Sequence, residues 1–525
     1  MIALFRPLAA ALLVANALPL RAQTAQLVQQ SLAFPGDSGA LANPTAVEQV
    51  LASHTVRVAN ASWIRLRFQL VQLWNDGDES SGAFLRITSH RDGAVQELHA
   101  RSAREWRATS AYFNGDAVQI DLVAPPGAGA SRWMLRSVWI GPQSSPQFSQ
   151  CGPTDDRVPA SDPRTARLLP VGCTGWLFDD CNHCFGTAGH CVGSGSLPNN
   201  NLDVAEFNVP PSNGSGLIQH PSPDDQYAID DGSIQFQNGG VGNDWGAFGC
   251  FPNSNTSLTP FQAQGACYRL VAPPPFASGI DLRVTGFGTD STPDWTYNQR
   301  QQTHSGPYFS YVGTTVRYQV DTTGGNSGSP LIWETGASDQ VVGVHTHGGC
   351  NAAAPINANH GTSSTHAGWT LARSAPLGVC MPVPSATTFC TAKVNSLGCT
   401  PQIGAVGSPS ASGAPGSFTI VGSALLNQKS GLLFYGFLPA STPFAGGFKC
   451  VGTPTVRTPV QATGGSPSGA DCSGTIALDM AARIASGVDT RLTCGAIVYA
   501  QIWSRDPADA FTTSLTAGLR FTIGL

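Results

Sequence analysis

The most informative segment of this chain is Gly325-Asn326-Ser327-Gly328-Ser329-Pro330. Glycines on both sides of a serine favour a tight turn that exposes the hydroxyl and points backbone N–H groups toward the atom it would attack. Two upstream segments supply the other groups that such chemistry needs: Thr187-Ala188-Gly189-His190-Cys191 and Asn243-Asp244-Trp245-Gly246. The chain therefore carries a candidate nucleophile, a candidate base and a candidate carboxylate to orient that base.

The chain order His190, Asp244, Ser327, together with these motifs, resembles the trypsin-like (chymotrypsin-fold) serine protease family. The resemblance implies a double β-barrel, with the histidine and aspartate on the first barrel and the serine on the second. It also implies their roles. His190 takes the proton of Ser327, Asp244 fixes the imidazole tautomer, and the N–H groups of Gly325 and Ser327 form the oxyanion hole.

The segment departs from trypsin-like zymogens at Asn326, where they usually carry an aspartate that pairs with a newly made N-terminus. An Ile-Val-Gly-Gly start is also missing. We therefore expect maturation by another route, with cleavage in the 141–167 region. The Gly-Gly-Asn-Ser-Gly-Ser-Pro pattern is most similar to the bacterial glutamyl endopeptidase branch of the family.

Two readings of substrate specificity remain open in the sequence. Asp321 stands where trypsin keeps the carboxylate that binds arginine or lysine, which predicts a basic-specific enzyme like trypsin or lysyl endopeptidase. Thr322 and His345 match positions at which glutamyl endopeptidases bind a substrate carboxylate, and acidic specificity is the expectation we favour. The expected substrate strand contains His345, Thr346, His347 and Gly348. A plainer alternative is that His345 and His347 only pack the barrel.

Composition excludes several classes of protein. The net charge of −5 and a charged fraction of 12% provide no basic stripe for nucleic acid and no polybasic membrane patch. Residues 1–23 resemble a secretory signal peptide whose apolar part is too short for stable membrane insertion. We therefore expect a secreted or cell-surface protein. The family resemblance implies that it acts on protein or peptide substrates, and we expect neither a cofactor nor a metal.

Fourteen cysteines in an exported chain indicate disulfides. The family resemblance implies a Cys173–Cys191 bridge beside His190, and similarity to lysyl endopeptidases implies Cys151–Cys350. Two further bridges are expected within loops, Cys250–Cys267 and Cys181–Cys184, and the second is favoured over half a zinc site. The region after residue 390 holds five cysteines, so one of them needs an outside partner, for which Cys380 is the candidate.

Abundant glycine (59) and proline (38) with few helical apolar patterns predict an all-β chain of short strands. Alternating apolar residues predict strands at 63–70, 84–88, 117–123 and 133–140 near the N-terminus and at 418–421, 432–438 and 519–523 near the C-terminus. The predicted organisation is a signal peptide (1–23), an N-terminal β-sandwich-like domain or pro-region (24–140), a linker (141–165), a trypsin-like serine protease domain with Cys151 tethered to it (166–380), a linker (381–389) and a C-terminal β-rich disulfide-containing module (390–525).

A functional alternative from another class is a surface binding or scaffold protein whose protease domain is vestigial. Its basis is that roughly half of the chain lies outside the protease-like segment, in two β modules whose ligands are unknown. The alternatives differ in one chemical respect: only an enzyme needs an activated serine hydroxyl at position 327.

Overall fold

The computed structural model describes residues 21–141, 148–149, 151–179, 184–194, 197–198, 202–291, 294–335, 339–350, 357–381, 386–411 and 413–524. Within these ranges the chain is all-β and forms a chymotrypsin-like double barrel with a β-rich domain on either side. The elements that precede the barrels are β1 (Arg21–Ala22), β2 (Gln30–Asp37), β3 (Gln49–Arg57), β4 (Trp63–Gln72), β5 (Phe84–Ser89), β6 (Val95–Leu98), α1 (Ala100–Glu105), β7 (Phe113–Asn114), β8 (Ala117–Ala124) and β9 (Arg132–Ile140).

Strands β2 to β9 form two four-stranded antiparallel sheets, in the orders β2-β9-β4-β7 and β3-β8-β5-β6. The sheets form a sandwich because apolar residues on their facing sides, such as Leu66, Leu85 and Ile120, are fully buried in one cluster. This arrangement confirms the N-terminal strands predicted from alternation. Strand β1 is not part of the sandwich and pairs with the second barrel instead.

The next elements are β10 (Phe148–Ser149), β11 (Val158–Pro159), β12 (Thr165–Pro170), β13 (Cys173–Leu177), β14 (Phe185–Thr187), α2 (Gly189–Val192), β15 (Gly193–Ser194), β16 (Leu197–Pro198), β17 (Leu202–Glu206), β18 (Gln226–Asn238), β19 (Asp244–Cys250), α3 (Pro260–Gln264), β20 (Arg269–Leu270), β21 (Asp281–Gly286), β22 (Gln302–Val312), β23 (Thr315–Tyr318), β24 (Thr322–Thr323), β25 (Pro330–Glu334), β26 (Asp339–Gly348), β27 (Asn359–Ser363) and α4 (Ala367–Ser374). Short 3₁₀ helices lie at Pro223–Asp225, Trp295–Tyr297 and Gly378–Cys380.

The first barrel closes in the order β12-β13-β14-β19-β18-β17, back to β12. The second runs β26-β25-β21-β22-β23-β27 and closes through pairing of β27 with β26. Each barrel has its own apolar interior, with Leu168, Phe185 and Phe248 in the first and Leu282, Val316 and Leu331 in the second. Closure leaves no free edge within either ring, because each strand of the ring pairs with a neighbour on both sides.

The N-terminal sandwich packs on the outer face of the first barrel. Its apolar cluster continues into Leu169, Val204, Ile218 and Ala228, which belong to that barrel and its loops. A buried polar contact accompanies the apolar one, because Arg65 of β4 forms an ion pair with Asp203 of β17 at 3.1 Å. The two domains therefore share one continuous core across their boundary.

The C-terminal elements are β28 (Ala386–Phe389), β29 (Gln402–Gly407), β30 (Phe418–Leu425), β31 (Ser430–Gly436), β32 (Pro439–Phe444), β33 (Gly447–Val451), β34 (Val456–Arg457), β35 (Gln461–Ala462), β36 (Gly474–Asp479), α5 (Met480–Ala485), β37 (Ile497–Arg505), β38 (Thr513–Leu515) and β39 (Gly518–Thr522). A seven-stranded sheet built on β28-β39-β37-β31-β34 faces the three-stranded sheet β29-β30-β36 across an apolar core. The three strands predicted from the sequence in this region are confirmed.

The structure contains the two bridges implied by the family resemblance, Cys173–Cys191 and Cys151–Cys350. The Cys181–Cys184 expectation was wrong, because Cys184 is bonded to Cys380; Cys181 itself lies outside the described residues. The same bond overturns the expected pairing of Cys380 with the C-terminal module. Gly249 of β19 leaves room for the Cys184–Cys380 bridge, because a Cβ at that position would lie 2.8 Å from the sulfur of Cys380.

The expected Cys250–Cys267 bridge was also wrong. Cys250 ends β19 with a free thiol that packs among the apolar side chains inside the first barrel. Burial raises the pKa of this thiol well above its usual value. In the C-terminal module, Cys390 is bonded to Cys450 and Cys399 to Cys472. These bridges fit an extracellular, oxidising environment.

Among the described residues, no helix has the length and apolar character that crossing a membrane requires.

Candidate functional site

Ser327 lies on a tight turn at the seam between the two barrels. Gly325 and Gly328, which flank it, have φ angles of +104° and +88°, and a Cβ at either position would lie 2.3 Å or less from a backbone oxygen. Glycine is therefore required at both positions. Thr174 of the first barrel donates its backbone N–H to the Ser327 carbonyl at 2.8 Å, which ties the turn to the opposite barrel.

His190 and Asp244 reach the serine from the first barrel. His190 lies on α2, directly after β14, and Asp244 begins the neighbouring strand β19. The Nε2 atom of His190 is 2.7 Å from Ser327 Oγ, and its Nδ1 is 2.6 Å from Asp244 Oδ2. The other carboxylate oxygen of Asp244 accepts the His190 backbone N–H at 2.9 Å. Asp244 is fully buried, so the carboxylate holds the imidazole from both its ring and its backbone.

A peptide carbonyl of the chain itself lies in the expected oxyanion hole. The N–H groups of Gly325 and Ser327 donate to the carbonyl oxygen of Gln23, at 2.6 and 3.2 Å. The backbone N–H of Gln23 lies 2.8 Å from Ser327 Oγ. Two convergent N–H donors at these distances have the geometry that stabilises the oxyanion formed during acyl transfer.

Strand β1 extends the second barrel along the expected substrate strand. It is antiparallel to the end of β26, with Arg21 opposite Gly348 and Ala22 opposite His347. Addition of an extended segment to a sheet edge is a common mode of peptide recognition. Three of the four residues predicted for the substrate strand thus border a bound peptide segment: His345 at its side chain, His347 and Gly348 at its backbone.

The side chain of Gln23 enters a buried pocket that ends at His345. Gln23 Oε1 is 2.5 Å from His345 Nε2, and His345 Nδ1 forms a short hydrogen bond with the Tyr318 hydroxyl. A side-chain carbonyl oxygen only accepts, so Nε2 carries the proton and Nδ1 accepts the hydrogen of Tyr318. The pocket therefore presents a single N–H donor at its base.

Electrostatics keep this donor uncharged. Burial lowers the pKa of His345 well below its usual value, and the neighbouring imidazoles of His347, His190 and His360 add to the effect. Burial also raises the pKa of Tyr318 well above its usual value, which keeps the hydroxyl protonated. Burial lowers the pKa of His360 to about 4. At neutral pH the pocket is thus formed by neutral hydrogen-bonding groups.

Asp321 faces a different part of the molecule. It is buried, and its two carboxylate oxygens accept backbone N–H groups from Cys151 and Asp156 at 2.6 and 2.9 Å. It also lies 3.4 Å from His304 Nδ1. The carboxylate therefore fastens the segment beside the Cys151–Cys350 bridge to the second barrel.

The other two predicted binding residues support neighbouring backbone. The hydroxyl of Thr322 accepts a hydrogen bond from the Asn359 amide at 2.9 Å. Thr346 donates its hydroxyl to the His360 carbonyl at 3.3 Å, and so joins β26 to β27. Both threonines are fully buried. Their hydrogen bonds brace the strands that form the pocket.

A buried guanidinium lies behind the turn that carries Ser327. Arg157 forms an ion pair with Asp155, donates to the hydroxyl of Thr323 at 2.8 Å and lies 3.5 Å from Asp290. Thr323 in turn donates its backbone N–H to the side chain of Asn326 at 2.9 Å. The residue next to Ser327 is thus connected to an internal cation through one threonine.

In the part of the chain that the structure describes, two clusters have the residue types of metal ligands. In the first, Cys173 and Cys191 are joined to each other beside His190, which leaves no thiolate for a metal. In the second, Asp156, His304 and Asp321 lie together, but His304 Nδ1 already accepts the Asp321 backbone N–H at 2.9 Å.

Sequence reasoning missed Gln23, Tyr318 and Arg157. Gln23 was assigned to the signal peptide, and a tyrosine in an alternating strand has no local mark of a binding role. Arg157 could have been suspected, because the absence of an aspartate at position 326 raises the question of what stabilises the turn. Its partners, however, come from segments far apart in the chain.

No family model matches the sequence, and no curated protein matches it. Similar solved structures include a thermostable serine protease AL20 from an extremophilic microorganism, at 14% identity, covering 41% of this chain and 98% of that one with a TM-score of 0.31. A Glu endopeptidase in complex with MPD is 17% identical and covers 43% of this chain and 98% of its own, with a TM-score of 0.32. The chemistry of the site therefore rests on its own geometry.

Proposed function

We propose that this chain is a secreted serine endopeptidase that hydrolyses peptide bonds through an acyl-enzyme on Ser327. One observation carries the proposal. The hydrogen-bonded series Ser327–His190–Asp244 ends beside a peptide carbonyl that accepts the N–H groups of Gly325 and Ser327. Nucleophile, base, orienting carboxylate and oxyanion donors therefore meet at one peptide bond, which is the arrangement that acyl transfer needs.

Each residue then has a defined task. His190 accepts the Ser327 proton as Oγ attacks the substrate carbonyl carbon, and the two N–H groups bind the oxygen as it becomes negative. The imidazolium, stabilised by Asp244, donates its proton to the leaving amine as the C–N bond breaks. A water molecule, deprotonated by His190, then hydrolyses the ester, and the proton returns to Ser327.

We propose further that the enzyme cuts after glutamate, with glutamine as an uncharged analogue. The pocket base is the N–H of His345, a donor suited to a side-chain oxygen at the end of two methylene groups, and Gln23 provides such an oxygen. Basic specificity would need the carboxylate of Asp321 in this pocket. Its hydrogen bonds to Cys151 and Asp156 argue against that alternative.

The test of activity uses wild-type protein and Ser327→Ala on a denatured proteome, with cleavage sites mapped by mass spectrometry. We expect wild type to cut and the variant to lose activity by about 10⁶-fold. Labelling by a fluorophosphonate, which needs an activated serine, should follow the same pattern. A wild-type protein that neither cuts nor takes the label would support the binding or scaffold alternative.

The test of specificity compares His345→Leu with Asp321→Asn. The first removes the pocket donor and should lower kcat/KM for glutamate peptides by at least about 100-fold, since a site built around a hydrogen bond rejects an unpaired partner. The second should leave the preferred residue unchanged, whatever it does to stability. Cleavage after lysine or arginine that Asp321→Asn abolishes would establish the basic alternative instead.

A further inference from the structure

Residues 21–27 pass through the active site in the orientation of a substrate. Ala22 pairs with His347 on the N-terminal side of Gln23, and the Gln23 carbonyl occupies the oxyanion hole. An amide nitrogen and the carbonyl carbon of the same residue are only about 2.5 Å apart. The 2.8 Å contact from the Gln23 nitrogen to Ser327 Oγ therefore puts its carbonyl carbon next to the nucleophile.

The side chain of Gln23 fills the pocket and accepts its hydrogen bond. Gln23 is 5% exposed, and its Oε1 meets the N–H of His345. Glutamine has the length of glutamate and offers the same oxygen at the same position. Among the residues of this segment, Gln23 alone has its carbonyl in the hole and its side chain on His345, which identifies Gln23–Thr24 as the bond presented to Ser327.

The chain is also held on the far side of that bond. Ala25 donates its backbone N–H to the Gly172 carbonyl at 2.7 Å, and Leu27 donates to the Pro170 carbonyl at 2.8 Å. The approach is close: a Cβ on Gly172 would lie 1.8 Å from the Ala25 carbonyl oxygen. Backbone contacts on both sides of a bond keep it in an extended conformation across the nucleophile.

We propose that the chain is its own first substrate and that Ser327 cleaves the Gln23–Thr24 peptide bond within the same molecule. This inference rests on the proposed function. Ser327 Oγ bonds to the Gln23 carbonyl carbon while His190 takes its proton, and the bond to Thr24 nitrogen breaks as His190 returns that proton to the amine. Water then hydrolyses the ester and releases residues 1–23 with a free carboxylate on Gln23.

The cut opens the site without removing the N-terminal domain. The new N-terminus at Thr24 stays fastened by the hydrogen bonds of Ala25 and Leu27, and β2 remains paired with β9 of the sandwich. Residues 21–23 keep no covalent link to the fold and can be replaced by another peptide. Until the cut, the same residues block the pocket against external substrates.

The experiment is N-terminal analysis of the full chain made by membrane-free, cell-free translation under oxidising conditions, where no signal peptidase is present. We expect wild type to begin at Thr24 and Ser327→Ala to begin at Met1. The cleavage rate should be independent of protein concentration, because the reaction is intramolecular. Equal thermal midpoints of the two proteins establish that the variant is folded.

Two matched variants test the recognition step. Gln23→Leu removes the oxygen that His345 binds and should slow the cut by at least about 10-fold, whereas Gln23→Glu should retain it. Gln26→Leu makes the same change at an exposed position three residues on and should cleave like wild type. Equal rates for Gln23→Leu and Gln26→Leu would overturn the assignment of the bond.

The outcomes separate this inference from the proposed function. If wild type takes the fluorophosphonate label and cuts external peptides but still begins at Met1, self-cleavage is overturned while the protease remains. If Ser327→Ala also begins at Thr24, another enzyme makes the cut and the inference is again overturned. If wild type shows neither label nor any cleavage, both proposals fail together.

Discussion

His345 recognises its partner with a neutral N–H group, and this feature distinguishes the pocket from one based on an ion pair. Tyr318 fixes the tautomer from one side, and burial keeps the ring uncharged. The side-chain oxygen of glutamine accepts a hydrogen bond from neutral His345, and no change of protonation is needed. A glutamate carboxylate, in contrast, gains further if the ring takes up a proton, because charge-assisted hydrogen bonds are stronger than neutral ones.

Substrate preference should therefore depend on pH. A bound carboxylate favours protonated His345, whose pKa is lowered by burial when the neutral Gln23 side chain fills the pocket, so binding of glutamate takes up a proton and strengthens as pH falls. We expect the ratio of kcat/KM for matched glutamate and glutamine peptides to rise from pH 8 to 5.5, by at most about tenfold per pH unit. The ratio cancels every pH effect on catalysis that the two substrates share.

The control for this prediction is His345→Gln, which keeps a donor but cannot titrate and should give a flat ratio. A wild-type ratio that is flat or that rises with pH would contradict the role of His345.

Arg157 supports the turn that carries Ser327 through Thr323, which is hydrogen-bonded to both Arg157 and Asn326. Arg157→Met leaves the carboxylates of Asp155 and Asp290 buried beside an apolar side chain, and loss of one partner of a buried ion pair typically destabilises by about 3–5 kcal/mol. We expect a clear fall in the midpoint of urea unfolding and a loss of kcat. The matched change Arg101→Met removes an exposed pair with Glu105 and should alter neither quantity. Equal effects of the two variants would exclude this role.

Among single residues, the sequence predicted those that belong to recognisable local motifs. His190, Asp244 and Ser327 stand in recognisable surroundings, and the structure brings them within hydrogen-bonding distance. Gln23 could not be found in this way, because its contacts are with Ser327 and His345, about 300 residues further along the chain. Tyr318 owes its role to a hydrogen bond with His345 on another strand, which no local motif marks.

The glycine turn around Ser327 is the element on which the site depends most directly. In Gly328→Ala, the new Cβ would lie 2.1 Å from the Thr174 carbonyl oxygen at a φ of +88°, so the turn and Ser327 Oγ must shift. Because displacements near 1 Å can reduce rates about 100-fold, we expect kcat/KM to fall at least that much. Gly313→Ala, in the β22–β23 turn, has positive φ but an open position and should leave kcat/KM unchanged. A kinetic effect of similar size in both variants would show that backbone strain alone is responsible.

The positions of strands were easier to predict from the sequence than the strands with which they pair. Alternation of apolar residues identified β4, β5, β8 and β9 because each strand buries one face. Pairing of β1 with β26 has no such signal, since two residues carry no period. The disulfide errors have a similar origin: Cys184 and Cys380 meet only because the chain returns to the first barrel after α4.

For the whole molecule, the shared core of the sandwich and the first barrel makes the N-terminal domain a structural part of the double-barrel unit. Arg65, whose side chain is 2% exposed, spans the boundary to Asp203. Tyr112 of the sandwich stacks on His220 of the barrel side, with ring centroids 4.6 Å apart. Stability of the first barrel should therefore respond to changes at this boundary.

Asp203→Asn tests this coupling. It leaves the buried Arg65 guanidinium without its carboxylate, which should destabilise by about 2 kcal/mol or more. We expect the temperature at which fluorophosphonate labelling of Ser327 is lost to fall, although the change is remote from the site. Asp116→Asn, in an exposed pair with Arg57, serves as the control and should leave that temperature unaltered. Unchanged thermal loss of labelling in Asp203→Asn would mean that the two domains unfold independently.

The free thiol of Cys250 can report on opening of the first barrel. It is enclosed in the first barrel, and its raised pKa suppresses the thiolate that alkylating reagents attack. Alkylation of Cys250 therefore requires that the first barrel open and expose the thiol. The rate of alkylation at this position, read by peptide mass, measures how often the barrel that carries His190 and Asp244 comes apart under native conditions, without denaturant and without an introduced probe.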